Sequence, residues 1–264
     1  MQEPDLNSLQ KASQAQFDSR SDRYGKTHIL ADVSDIVAGL EGFTTMRGAR
    51  ALDVATGGGH TAVCLARVGM EVTATDLSAE MLKRTSELAA AAGVHVTTRR
   101  NTAEELPDPD ASYDLVTCRV AAHHFSDPQA FVSECARVLK PGGRFLLIDG
   151  SVPDHEPEAR EWIHRVEKLR DPSHHQFLTP DEWASLVASA GLVVVRCTLH
   201  PFKQPDLEWY FETAATSQEN RLAVRQLVDE APESARRVFH VTTEEGRIVW
   251  WWSRLTLVAT KPSA

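Results

Sequence analysis

Ala51-Leu52-Asp53-Val54-Ala55-Thr56-Gly57-Gly58-Gly59-His60 is the stretch that decides the fold. A short apolar run ends in an acid, then opens into three consecutive glycines, and a helical pattern follows. This order predicts a strand whose C-terminal end enters a tight turn, with a helix N-terminus directly behind it. Glycine suits such a turn because it adopts positive φ without strain and leaves the backbone bare for a ligand. In open α/β sheets the crevice beyond the strand ends is where nucleotide-like cofactors bind.

Downstream of the glycines the pattern repeats. Residues 60–68 read as a helix, 72–76 as a strand ending in Asp76, and 79–92 as an alanine-rich helix capped by Ser78 with Glu80 and Met81 in its first turn. Strands are predicted at 94–99, 113–120 and 144–149. A helix that starts at Asp127-Pro128 and stops at Lys140-Pro141-Gly142-Gly143 lies before the last of these. Alternating strands and helices of this kind argue for a parallel sheet covered on both faces. Beyond Asp149 come a charged helix at 158–169, a polar turn at 170–175, a helix at 180–190 and a strand at 192–199. A mostly helical polar stretch then leads to a last strand at 247–260.

Upstream, residues 1–27 are polar and read as a partly ordered arm, with Phe17 and Tyr24 as isolated aromatics. Residues 27–40 repeat apolar side chains at helical spacing and stop before Gly42. With neither an internal repeat nor a flexible linker, the chain is expected to be a single domain over residues 1–264. An arm and helix would occupy 1–45 and a cofactor-binding core 46–150. Additions at 151–179 and 201–245 would cap the C-terminal edge of the sheet, where a substrate needs walls.

The bulk numbers narrow the function. A chain of 264 residues with 42% hydrophobic and 25% charged residues is ordinary for a globular protein with one sizeable core. Its net charge of −9 argues against nucleic acid or an anionic membrane as the main partner. No stretch reaches the roughly 18 apolar residues of a membrane span. Four widely spaced cysteines in apolar surroundings read as buried free thiols of a cytoplasmic protein.

Three further features accompany the glycine turn. Asp53 closes strand one, the string Ala103-Glu104-Glu105-Leu106-Pro107 followed by Ser112-Tyr113-Asp114-Leu115-Val116 enters strand four, and Arg137-Val138-Leu139-Lys140-Pro141-Gly142-Gly143 leads into strand five. In that order these segments resemble the class I S-adenosylmethionine (SAM)-dependent methyltransferases of the UbiE-like type, over residues 48–150. Cys118-Arg119-Val120-Ala121-Ala122-His123-His124-Phe125 and the later Leu169-Arg170-Asp171-Pro172-Ser173-His174 are similar to a bacterial YcgJ-type subgroup. The resemblance implies an α/β, Rossmann-like seven-stranded sheet of order 3-2-1-4-5-7-6, with strand seven antiparallel and helices on both faces.

The resemblance also implies SAM as the cofactor, S-adenosylhomocysteine as its product, and a small-molecule acceptor. The turn formed by Ala55, Thr56, Gly57 and Gly59 would pack on the methionine part of SAM, with Asp53 near its ammonium group. Asp76 would accept hydrogen bonds from both ribose hydroxyls, with Leu77 and Met81 beside the adenine. Many relatives hold the adenine amino group with an Asp where this chain has Thr102, so the backbone around Ala103 and Glu104 would supply that contact. Ala55 stands where many relatives carry Gly, a change that is tolerable if φ is negative there.

Methyl transfer from a sulfonium needs chiefly alignment and exclusion of water. A base is required only where the nucleophile loses a proton. His123 and His124 end strand four and are candidates for a base or a substrate ligand. Adjacent residues on a strand point apart, so one of them at most is expected to face the site. Arg119 beside them either binds a ligand or pairs with a carboxylate. His174 lies in a turn that covers the site or merely bonds to Asp171 and Ser173. Phe17 and Tyr24 would fold over the cofactor and substrate.

No H-E-x-x-H or C-x-x-C spacing is present, and no metal is expected. Trp250, Trp251 and Trp252 alternate across the last strand, for core packing or a homodimer surface. The expected activity is C- or O-methylation of a quinone-like, phenolic or similar metabolite. Two rivals stand beside it. One is a protein of the same fold that binds SAM without transferring a methyl. The other is an NAD-dependent oxidoreductase, since Gly57 to Ala62 also satisfies G-x-G-x-x-G/A with Asp76 about twenty residues on.

Overall fold

The computed structural model describes residues 6–20, 29–43 and 46–263. Leu52 and Val54 are buried in one apolar cluster and Ala51 in another, so the strand that carries them is covered on both faces. Such a strand requires helices on both sides. The strands are β1 (Arg50–Val54), β2 (Glu71–Asp76), β3 (Val96–Arg100), β4 (Tyr113–Arg119), β5 (Leu139–Ser151), β6 (Val193–Lys203), β7 (Thr242–Glu244), β8 (Arg247–Val249) and β9 (Trp251–Thr260). Seven form one sheet of order β3-β2-β1-β4-β5-β9-β6, while β7 and β8 pair separately as a hairpin. The first five run parallel, and β9 is antiparallel to both neighbours. This is the expected order and direction, with β9 as the seventh strand of the sheet.

The helices are α1 (Ser8–Asp18), α2 (Ser34–Gly39), α3 (His60–Arg67), α4 (Ala79–Ala91), α5 (Pro128–Val138), α6 (Pro157–Arg170), α7 (Pro180–Ser189), α8 (Leu207–Ala214), α9 (Gln218–Asp229) and α10 (Glu233–Val238). Phe131, Val132 and Cys135 of α5 and Trp183 and Val187 of α7 fill one face of the sheet. Ile36 of α2, Leu65 of α3 and Ala89 of α4 fill the other. A third cluster joins α6, α8, α9 and α10 through Trp162, Tyr210, Phe211, Leu227 and Phe239, and it includes Trp250 and Trp252. Among the described residues no helix is long and apolar enough to cross a membrane.

The structure refines three local expectations. The polar arm contains helix α1, closed by a capping box in which Asn7 and Gln10 satisfy each other's backbone N–H groups. Of the helix expected at 27–40, the described residues form a 3-10 turn at Ile29–Ala31 and the short α2, with Asp32 accepting from Ser34 N where the run is interrupted. Helix α5 ends at Val138, directly before the expected stop, but Pro141-Gly142-Gly143 is not a loop ahead of the strand. It lies within β5, where pairing skips from Tyr113↔Leu139 to Leu115↔Arg144 and the extra residues bulge.

Candidate active site

The cofactor turn is built where β1 ends. Ala55 adopts φ +53° and Gly57 φ +54°, and Gly59 at φ +84° caps α3. The condition attached to Ala55 therefore fails: it sits in the left-handed region, at a cost of about 1–2 kcal/mol for an L-residue. Gly57 borders the cavity and a Cβ there would meet open space. Gly59 instead faces α4, where a Cβ would lie 2.8 Å from Thr85. Gly59 is thus a packing position between α3 and α4 rather than part of the cavity wall.

The two acids at the strand ends divide their work. Asp53 is buried beneath the turn, accepting hydrogen bonds from Thr56 Oγ1 at 2.6 Å and Thr117 Oγ1 at 2.7 Å. It does not border the cavity. Asp76 does, and it also accepts from the backbone N–H groups of Gly57 and Ser78, both at 2.9 Å. Burial pushes both carboxyls up to about 6, against the bonds they accept.

Leu77, Ser78 and Met81 continue the wall from Asp76, and Asn101, Ala103 and Glu104 face it from the end of β3. Thr102 is buried between them and does not reach the cavity, because its neighbours on either side take the wall positions. Glu104 is tied to the arm, accepting from Gln10 at 3.1 Å and from Ser126 N and Oγ at 3.0 and 2.8 Å. Ser78 Oγ bonds to Asp18, and Phe17 stands edge-on to His124 at 5.1 Å. Helix α1 therefore roofs the cavity, with Phe17 on its wall; Tyr24 lies outside the described residues.

At the other end of the cavity β4 breaks at Val120, φ +54°, and enters a 3-10 turn, Ala122–His124. A β-branched residue in that region is a genuine outlier. Because the chain turns here, both histidines border the cavity, with ring centroids 4.1 Å apart, and the expectation that only one faces the site is corrected. His123 bonds to Asp149 twice, through its backbone N–H at 2.8 Å and through Nδ1 at 2.6 Å. Burial disfavours charge on this imidazole, but the Asp149 carboxylate outweighs it and raises the pKa. With Nδ1–H donated to Asp149, the free lone pair of neutral His123 is on Nε2.

His124 donates from Nδ1 to the Ser173 carbonyl at 3.0 Å, and Ser173 Oγ donates to Asp171 at 2.6 Å. Burial, followed by the charge on His123, pushes His124 down to about 4. The turn after α6 closes on this element, since the N–H groups of His175 and Gln176 both donate to the His123 carbonyl. His174 lies behind His123 at 5.6 Å, fully buried, and does not border the cavity. Neither of its ring nitrogens has a hydrogen-bond partner among the described residues.

Arg119 borders the cavity, but its guanidinium is spent on Asp35 at 2.9 Å and on the carbonyls of Leu30 and Asp32. The remaining wall comes from residues that sequence reading did not assign to the site; Trp252 was expected in core packing or at a dimer surface. Trp209, Tyr210 and Thr213 of α8 and Trp252 and Arg254 of β9 all border the cavity. Trp252 Nε1 donates to Tyr210 Oη at 2.8 Å, and Tyr210 is in turn bonded to the buried Glu167. Asp149 had a legible signal, because it is a third acid at a strand end. Arg254 had none, because only the antiparallel pairing of β9 brings it here.

A sheet of this order, with its glycine turn and strand-end acids around one cavity, defines a class I methyltransferase fold. Residues 52–147 match the methyltransferase domain family. The methyltransferase YcgJ of Bacillus subtilis is 37% identical over 177 residues, which cover 67% of this chain and 70% of YcgJ. The crystal structure of YcgJ protein superposes with a TM-score of 0.80 at 30% identity, covering 90% of this chain and all of that one. A ubiquinone biosynthesis O-methyltransferase of Xanthomonas euvesicatoria pv. vesicatoria is 37% identical over 157 residues, 56% of this chain and 64% of that enzyme. The chain belongs to the methyltransferase family that includes YcgJ. With that, the nicotinamide reading of the glycine turn falls away.

Proposed function

We propose that the protein transfers a methyl group from SAM to a small-molecule acceptor whose nucleophilic atom gives up a proton. One observation carries this reading. A single cavity runs from the Asp76 carboxylate at the glycine turn to the His123–Asp149 pair.

The residues present fit the cofactor. Asp76 is a half-buried acceptor open to the cavity, suited to a pair of ribose hydroxyls, and Gly57 leaves the adjoining backbone uncovered. Leu77 and Met81 offer apolar sides to a flat base, and Asn101 and Ala103 lie opposite. Asp53 acts through Thr56, holding the turn rather than touching the ligand. When bound, SAM supplies a methyl group on a positively charged sulfur.

Around it the protein aligns the acceptor, excludes water beneath α1, and takes up a proton at His123 Nε2. Asp149 orients the imidazole and stabilises its charged form. His124, held neutral, is the second polar contact for the acceptor. The likeness to ubiquinone biosynthesis O-methyltransferases and the aromatic wall of Trp209, Tyr210 and Trp252 support a phenolic or quinone-like acceptor.

The test is calorimetric titration with S-adenosylhomocysteine and, separately, with NADH. The first alone should bind, and Asp76→Ala should weaken it. Binding of neither ligand would remove the methyltransferase reading.

A further inference from the structure

Arg119 and Arg254 share one counter-ion. Asp35 Oδ2 accepts from Arg119 Nε at 3.0 Å and from Arg254 Nη1 at 3.2 Å. Arg119 completes its set with Asp35 Oδ1 and the carbonyls of Leu30 and Asp32. Among the described residues Arg254 has only the one longer bond. Its Nε has no partner among the described residues, although the side chain is 6% exposed. Its guanidinium lies 3.3 Å over the ring of Phe202, which fixes its plane but supplies no hydrogen bond.

The other carboxylates near it are committed. Asp32 accepts from Ser34 N, and Asp149 accepts from His123 and Gly150. One carboxylate shared by two guanidinium groups leaves Arg254 with unmet donor capacity on the cavity wall, in surroundings where an unsatisfied buried donor is costly. Burial accordingly pushes Arg254 down to about 10. In the ladder Arg254 stands opposite Gly150, one residue from the Asp149 that holds His123.

We infer that the acceptor carries a carboxylate, which Arg254 receives, beside an apolar or aromatic body that lies against Trp209 and Trp252. This rests on the methyltransferase reading and deepens it. A guanidinium held flat by Phe202, with donors to spare, suits the planar, two-oxygen geometry of a carboxylate. The carboxylate completes the hydrogen-bond set that Asp35 leaves half met. It also anchors the acceptor two strands away from the base, across β5, with the apolar body against the aromatic wall.

The experiment uses the full chain saturated with S-adenosylhomocysteine. It is titrated calorimetrically with benzoate, 4-hydroxybenzoate, phenylacetate and octanoate, each beside its carboxamide. At least one acid should bind tenfold or more tightly than its amide. Arg254→Gln should abolish that preference with S-adenosylhomocysteine affinity unchanged, and Arg254→Lys should restore part of it. Thermal melts establish that each variant is folded; were Arg254→Gln not to fold, the acid–amide comparison on the native chain and on Arg254→Lys still decides. Absence of any acid preference across the four pairs, including no binding at all, overturns the inference, as does a preference that survives in folded Arg254→Gln. Failure of S-adenosylhomocysteine itself to bind instead removes the reading beneath it.

Discussion

His123 Nδ1 and the Asp149 carboxylate lie 2.6 Å apart, and the same carboxylate also accepts the His123 backbone N–H at 2.8 Å. One acid thus fixes both the turn that carries the imidazole and the tautomer of its ring. His123 should titrate above its ordinary value while its neighbour His124 titrates near 4. In Asp149→Asn burial is opposed only by the weaker influence of Glu167 and Asp171, and the His123 pKa should drop below its ordinary value. Imidazole NMR titration, with His123→Gln to assign the signal, checks this. An unmoved His123 resonance in Asp149→Asn would sink the pairing as the cause.

In the proposed function Asp76 must be ionised to accept two ribose hydroxyls, yet burial holds it up to about 6. S-adenosylhomocysteine affinity should therefore fall as pH drops from 7 to 5, with proton release on binding near pH 6. Asp76→Asn should weaken binding at pH 7 by about 1–3 kcal/mol and flatten the pH dependence. Calorimetry in buffers of different ionisation enthalpy reads both effects.

Ala55 and Gly59 test the turn in opposite directions. Ala55→Gly relieves a left-handed L-residue and should raise stability by up to about 1 kcal/mol, once the extra freedom of unfolded glycine is subtracted. Gly59→Ala adds the left-handed penalty to a Cβ placed 2.8 Å from Thr85, and should cost about 2 kcal/mol or more. Urea unfolding at neutral pH measures the two variants side by side.

Acid sensitivity follows from the buried imidazoles. His124 and His164 are pushed down to about 4 and His174 well below its ordinary value, burial being the first cause in each. Unfolded, each takes a proton near pH 6.5, so stability is lost as pH falls from there toward 4. Asp53 and Asp76, raised to about 6, work the other way between pH 6 and about 4. His123, raised, is protonated in both states below 6.5 and adds no slope in this window. Three imidazoles against two carboxylates leave a net loss on acidification. His174→Phe should lessen that slope and raise stability, since it removes two buried nitrogens without partners. Denaturant melts at pH 7, 6 and 5 decide the sign.

The cofactor half of this protein is local chemistry, and the sequence by itself determined it. A strand that ends in Asp53, a glycine turn, a second strand that ends in Asp76 and the capped helix from Ser78 are each written within a few consecutive residues. Their alternation called for a parallel sheet covered on both faces, while the strand order was what the family resemblance implied. Even the capping box of α1 was present as Asn7-x-x-Gln10 and went unread.

The acceptor half was decided by tertiary structure alone. His123 gains its partner from β5, twenty-six residues on, and both histidines reach the cavity because Val120 turns the chain out of β4. Gly59 and His174 moved from the site into packing for the same kind of reason: the direction of a side chain depends on what lies across from it. Arg254 enters the site only because β9 runs antiparallel beside β5, setting it opposite Gly150. Local propensity and spacing specify where a strand ends and a helix begins. A charge shared among Asp35, Arg119 and Arg254 is specified by packing elements more than two hundred residues apart, and no local pattern encodes it.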